Sequence, residues 1–120
     1  MTVQEFYSTV GGDYEAVKKI LMMDSMILRF LPKLAKDPSC QLLSEAWKEG
    51  DRKKMFEALH AMKGVCGNLG LASLVELVSG ALEPIRPGST LTISDEELGE
   101  KVAAIQKQYE WTVAKIEEIE

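Results

Sequence analysis

One side chain carries most of the chemistry open to this sequence: His60, its only histidine. An imidazole in water titrates at about 6.5, so near neutral pH most such rings offer a free nitrogen lone pair and can act as nucleophiles. A ring nitrogen of this kind can accept a phosphoryl group, and the charge so acquired needs a counter-ion. Lys63 stands three positions later. On a helix that is the adjoining surface, near enough for its ammonium to meet phosphate oxygens. Each residue also has a plain reading, since a lone histidine on a helix is usually ordinary surface and a helix lysine is ordinarily solvated.

The surrounding stretch, Phe56 to Gly70, reads as helix. Met55, Leu59, Met62, Cys66 and Leu69 recur at spacings of four, three, four and three, the apolar seam expected at about 3.6 residues per turn. At about 100° per residue, His60, Gly64, Gly67 and Lys53 fall about 120–180° from that seam, with Lys63 at its margin. His60 is therefore predicted to face outward. Gly64 and Gly67 are unusual inside a helix, because each costs about 1 kcal/mol against alanine in a domain with about 5–15 kcal/mol in total. Both lie on the histidine's side, which removes bulk around the ring and lets a large body approach it. Small residues at such spacings also let another helix of the same fold pack tightly, and the sequence leaves both explanations standing.

Length and composition narrow the function classes. A chain of 120 residues, 46% hydrophobic and 28% charged, describes a single globular domain spanning 1–120 with one core. No run approaches the roughly 20 apolar residues of a membrane span. The opening Thr2-Val3-Gln4-Glu5 has neither the basic start nor the apolar core of a signal peptide, so a soluble, cytoplasmic monomer is expected. The net charge of −5 and the lack of a Lys/Arg stripe argue against nucleic acid. Arg52-Lys53-Lys54 reads as a solvated face, although Lys53 and Lys54 lie about two turns before His60 and could meet an acidic partner surface. Cys40 and Cys66 are expected as free thiols, with their pairing left open. Two cysteines and one histidine do not make a convincing zinc site, so no metal is expected. The chain has no G-x-x-x-x-G-K loop, no kinase signature set and no room for an ATP-binding domain. It is expected to be no enzyme in its own right and to hold no cofactor.

The elements that must position His60 are helical throughout. Val3 to Val10 reads as a weak helix ended by Gly11-Gly12, and Asp13 caps the next, whose face is Val17, Ile20 and Leu21. Asp24-Ser25 marks a second cap or a bend. Met26, Ile27, Phe30, Leu31 and Leu34 then form a stripe interrupted by Pro32, which predicts a kink or a local rearrangement near Leu28 to Pro32. Asp37-Pro38 starts a helix with Leu42, Leu43, Ala46 and Trp47 as its buried face. Gly50-Asp51 ends that helix and caps the histidine helix, about Arg52 to Leu69. Leu71, Leu74, Leu77, Val78 and Leu82 form a further helix turned back beside its predecessor, followed by a loop from Pro84 to Ser89. Ser94 and Glu97 read as a capping box opening a long helix over about 95–118, with its seam at Leu98, Val102, Ile105, Tyr109, Thr112, Ile116 and Ile119. Trp111 falls opposite that seam, so it either packs under the N-terminal segment, the favoured expectation, or is exposed. Thr90-Leu91-Thr92-Ile93 is the one strand-like run, too short to found a sheet. The predicted fold is all-α, an up-and-down antiparallel four-helix bundle with short N-terminal helices packed across one end.

The run His60-Ala61-Met62-Lys63-Gly64, followed by Gly67, Asn68, Leu69 and Gly70, resembles the signature of histidine-containing phosphotransfer (HPt) domains, His-x-aliphatic-Lys-Gly and then small residues to an aliphatic-Gly pair. Gly11-Gly12-Asp13, Gly50-Asp51 and the helix end near Leu82-Glu83 extend the likeness over residues 10–85, with a phosphotransfer core at 13–84. Met62 and Cys66 stand where the family tends to have leucine and a smaller residue, changes that keep the packing class. The resemblance implies the same four-helix bundle and a carrier of a two-component phosphorelay. His60 would take a phosphoryl group from an aspartyl-phosphate receiver domain, or from a sensor histidine kinase, and pass it to a response regulator. The resemblance further implies Lys63 as the phosphate's counter-charge, and Mg²⁺ in the receiver's acidic pocket and not in this chain. Gly64 and Gly67, with Lys53 and Phe56, make up the expected docking surface. Two other readings compete: a helical binding module docking a partner on the Gly64/Gly67 face without phosphate, and a histidine-based hydrolase, for which no Ser or Cys nucleophile with a partner acid is visible.

Overall fold

The computed structural model describes residues 1–120 and is all-helical. Helix α1 (Val3–Val10) opens on Thr2, whose hydroxyl accepts the Glu5 N–H while the Glu5 carboxylate accepts the Thr2 N–H, so even this short helix has a reciprocal cap. Asp13 caps α2 (Tyr14–Leu21) by accepting the Ala16 N–H. Helix α3 (Asp24–Phe30) starts at the predicted break without a side-chain cap; the chain turns at Met22, φ 70°, and Asp24 instead accepts the Tyr14 hydroxyl at 2.6 Å. Pro32 produces the predicted rearrangement, because Leu31–Lys36 tighten into a 3-10 turn with proline at its start, where a missing N–H is least needed. Four longer helices follow: α4 (Ser39–Glu49), α5 (Arg52–Asn68), α6 (Ala72–Ile85) and α7 (Asp95–Ile116). Ser94 accepts the Glu97 N–H at the head of α7, which is one half of the predicted capping box.

Helices α4 and α6 both pack on α5, and α7 packs on both α4 and α6, so the four contacts close a ring. The α5 seam, Met55, Leu59, Met62, Cys66 and Leu69, is buried and shares one core with Leu43, Val78, Leu82, Val102 and Ile105. No helix is long and apolar enough to cross a membrane. Cys40 and Cys66 are free thiols.

Several sequence expectations need correction. Ile20 and Leu42, expected inside, are exposed, because short helices covered on one side bury only a narrow stripe and both residues sit at its edge. Trp47 is covered only in part, 36% exposed, with its indole laid over Gly99 of α7, where a Cβ would stand 2.8 Å from the ring. Trp111 does not pack under the N-terminal segment. It is 39% exposed and lines a shallow depression with Leu77, Ala104, Lys107 and Gln108. The N-terminus is tied beyond it, the Met1 amino group donating to the Glu118 carbonyl and the Glu120 N–H to the Met1 carbonyl. Helix α6 runs through Pro84 to Ile85, so the loop begins later than expected; proline in a last turn removes only one bond. Thr90 to Ile93 forms no strand, in keeping with a run too short to found a sheet, and Arg52 of α5 ties this segment down by donating to the Ile93 carbonyl at 3.0 Å and the Asp95 carboxylate at 2.7 Å.

Three acids buried in this core set its behaviour at high pH. Burial pushes the Cys66 thiol up to about 12 and, with help from the negative charge of Asp37, raises the Tyr109 phenol; burial alone raises that of Tyr7. Each group keeps its proton in the folded state at a pH where the unfolded chain has lost it, so the folded state binds more protons and stability falls as pH rises. The urea midpoint should therefore decline from about pH 9 upward, starting with the thiol, whose ordinary value is 9.0. A midpoint that stays flat through the alkaline range would contradict this.

Candidate functional site

The histidine helix is fixed at both ends by groups distant in sequence or by its own caps. Gly50, φ 68°, turns the chain out of α4, and the Asp51 carboxylate accepts the Lys54 N–H at 3.1 Å. At the far end the Gly70 carbonyl accepts the Asp13 N–H at 2.8 Å, and the Leu69 carbonyl accepts the Tyr7 hydroxyl at 2.7 Å inside the core. Gly70 itself has φ 69°, and a Cβ there would meet the Asp13 carbonyl at 2.9 Å. The corner between α1 and α2 thus caps the carboxyl end of α5. Replacing Tyr7 by Phe leaves the buried Leu69 carbonyl without its donor and should cost about 1–3 kcal/mol in urea unfolding. A loss under about 0.5 kcal/mol, the scale of an indifferent surface change, would remove Tyr7 from this role.

On the outward face of α5, His60, Gly64 and Gly67 are exposed as the helical wheel predicts. A Cβ built on either glycine meets nothing within 4 Å, so no helix of this chain packs on them and the tight-packing explanation falls away. Lys53 is exposed on the same face and enters no ion pair, whereas Lys54 is held by Glu49 at 2.9 Å. Lys63 is partly buried and likewise outside every ion pair. Val65 and Asn68 join Ile20, Leu21, Phe30 and Lys33 in lining a cleft of about 520 Å³ beside the carboxyl-terminal half of α5.

Phe56 is closer to the chemistry than its place in the sequence indicated. Its ring stacks on the imidazole, with centroids 5.8 Å apart and planes at 25°. The Arg86 guanidinium also lies on Phe56, its Cζ 5.5 Å from the ring centroid, and donates twice to the Glu83 carboxylate at 3.1 and 2.9 Å. Hydrogen bonding from Arg86 holds the Glu83 carboxyl below its ordinary range, and the charge of Lys63 adds to the effect. Sequence reasoning placed Arg86 in a loop and gave Glu83 no role. The available signal was topological, since a helix that turns back after Gly70 returns its end to the start of α5.

The imidazole makes no hydrogen bond within the chain, and no three His, Cys, Asp or Glu side chains converge as metal ligands would. A free ring beside bare glycines suits a nucleophile that meets its reactant on another molecule. A search of the curated proteins and a search of the solved structures returned no match. The family model of the Hpt domain, the histidine phosphotransfer module of phosphorelays, matches residues 26–109, which run from α3 into α7 and enclose the whole histidine helix. A match over well more than half of the chain shows that it belongs to the Hpt domain family, whose members carry phosphoryl groups and are not themselves catalysts.

Proposed function

We propose that this protein is a phosphorelay carrier in which His60 accepts a phosphoryl group from the aspartyl phosphate of a receiver domain, or from a sensor histidine kinase, and hands it to a response regulator. The observation that carries this reading is the open space over Gly64 and Gly67 beside an exposed imidazole. In the transfer step the unprotonated ring nitrogen attacks phosphorus, a P–N bond forms, the acyl P–O bond breaks, and the aspartate leaves as a carboxylate. The other ring nitrogen keeps its N–H. In-line approach is the main geometric demand of such a step, and a ring clear of neighbouring bulk satisfies it. Mg²⁺ belongs to the receiver's acidic pocket, and this chain needs no ATP site.

Lys63 supplies charge to the phosphorylated ring, while Lys53, Phe56, Gly64 and Gly67 form the docking face, which the cleft beside Val65 extends with apolar surface. The ring of contacts among α4 to α7 is read as an up-and-down antiparallel four-helix bundle with α1 to α3 across one end, forming a single domain over 1–120 that works as a cytoplasmic monomer. The direct test is incubation with a phosphorylated receiver domain. Acid-labile, base-stable label should pass to the protein, whereas stable binding without label would favour the phosphate-free docking module. Lys63→Ala should shorten the phosphohistidine lifetime or slow transfer while leaving thermal unfolding nearly unchanged, and equal kinetics would return Lys63 to an ordinary solvated lysine.

A further inference from the structure

We infer that Glu83 is the resting counter-ion of Arg86, the cation that Phe56 links to His60, and that a phosphoryl group on His60 displaces Glu83 and takes that cation over. The inference builds on the carrier reading above and adds a positioning residue to it. One aromatic ring links the parts: Phe56 stacks on the imidazole on one account and carries the Arg86 guanidinium on the other, with centroid distances of 5.8 and 5.5 Å. Glu83 holds Arg86 there through a bidentate pair, and both side chains remain more than a third exposed, at 44% and 42%. An ion pair so exposed contributes little to folding and is readily exchanged.

A phosphoryl group brings a charge of about −1.5 to −2 and three acceptor oxygens, against a single charge on the glutamate, so Arg86 gains by turning to it. Arg86 is suited to the exchange because its planar fork can bind two phosphate oxygens as it now binds two carboxylate oxygens. Competition from Glu83 limits how firmly the phosphorylated state is held. A carrier must release its group as readily as it accepts it, and a built-in rival for Arg86 keeps the two states near balance.

The test uses phosphoramidate, which phosphorylates an exposed imidazole directly: its P–N bond breaks, ammonia leaves, and a P–N bond to the ring forms without any partner protein. Phosphohistidine half-life is then followed in the full chain. Arg86→Ala should shorten it about threefold to fivefold, Glu83→Gln should lengthen it by a similar factor, and the double variant should lose the lengthening. Arg86→Lys should recover part of the loss, and all differences should shrink in 1 M salt, where screening acts over about 3 Å. Opposite signs for the two single variants are the mark of competition, which a merely structural ion pair would not produce. Half-lives that are equal in all variants, or shortened alike by Glu83→Gln and Arg86→Ala, overturn the inference. Failure of phosphoramidate to label His60 in the wild type overturns this inference and the carrier reading together. Label that forms and responds as expected but passes to and from no receiver overturns the carrier reading alone.

Discussion

His60→Gln should abolish phosphoryl acceptance completely while leaving the fold intact. The chain contains no second histidine, so no other imidazole can carry an acid-labile, base-stable phosphate. Glutamine retains polarity and helix propensity but offers no nucleophilic lone pair at neutral pH. The position is exposed and makes no hydrogen bond within the chain, so the change should shift stability by less than about 0.5 kcal/mol. Labelling from a phosphorylated receiver, followed beside a thermal unfolding curve, settles both halves. A variant that is labelled as strongly as the wild type would remove His60 from the mechanism.

Gly64→Gln should fold at least as well as the wild type and transfer at least about tenfold more slowly, a barrier increase of about 1.4 kcal/mol. Stability should rise by up to about 1 kcal/mol, because glycine is a poor helix residue and nothing within 4 Å obstructs a side chain there. The same open space is the route by which a receiver would reach the imidazole one turn away, and a side chain projecting into it meets the incoming domain. A small donor separates this effect from damage to the ring. Phosphoramidate should label Gly64→Gln at nearly the wild-type rate while transfer from the receiver falls. Early unfolding with normal transfer in the folded fraction would overturn the docking role, since overpacking inside the bundle would cost about 1–3 kcal/mol instead.

What the sequence by itself determined is what depends on local periodicity and local hydrogen bonding. The α5 seam, the outward placing of His60, Gly64, Gly67 and Lys53, and the caps at Asp13, Asp51 and Ser94 all follow from about 3.6 residues per turn and from orphan backbone donors within three positions of a side-chain oxygen. Pro32 likewise disturbed its own turn and nothing remote. The tertiary structure alone decided which elements meet, because contact between residues far apart in the chain depends on the approach of whole helices. It decided that Gly64 and Gly67 face open space and not a neighbouring helix, that Tyr7 caps the Leu69 carbonyl, and that Trp47 covers Gly99. It also left Trp111 exposed, since the N-terminal segment anchors beyond it at Glu118 and Glu120. Around the histidine, periodicity supplied the ring, the glycines and a lysine; only the return of α6 to the start of α5 brought Arg86, paired with Glu83, onto Phe56, where long-range packing puts a charge that no local pattern announces.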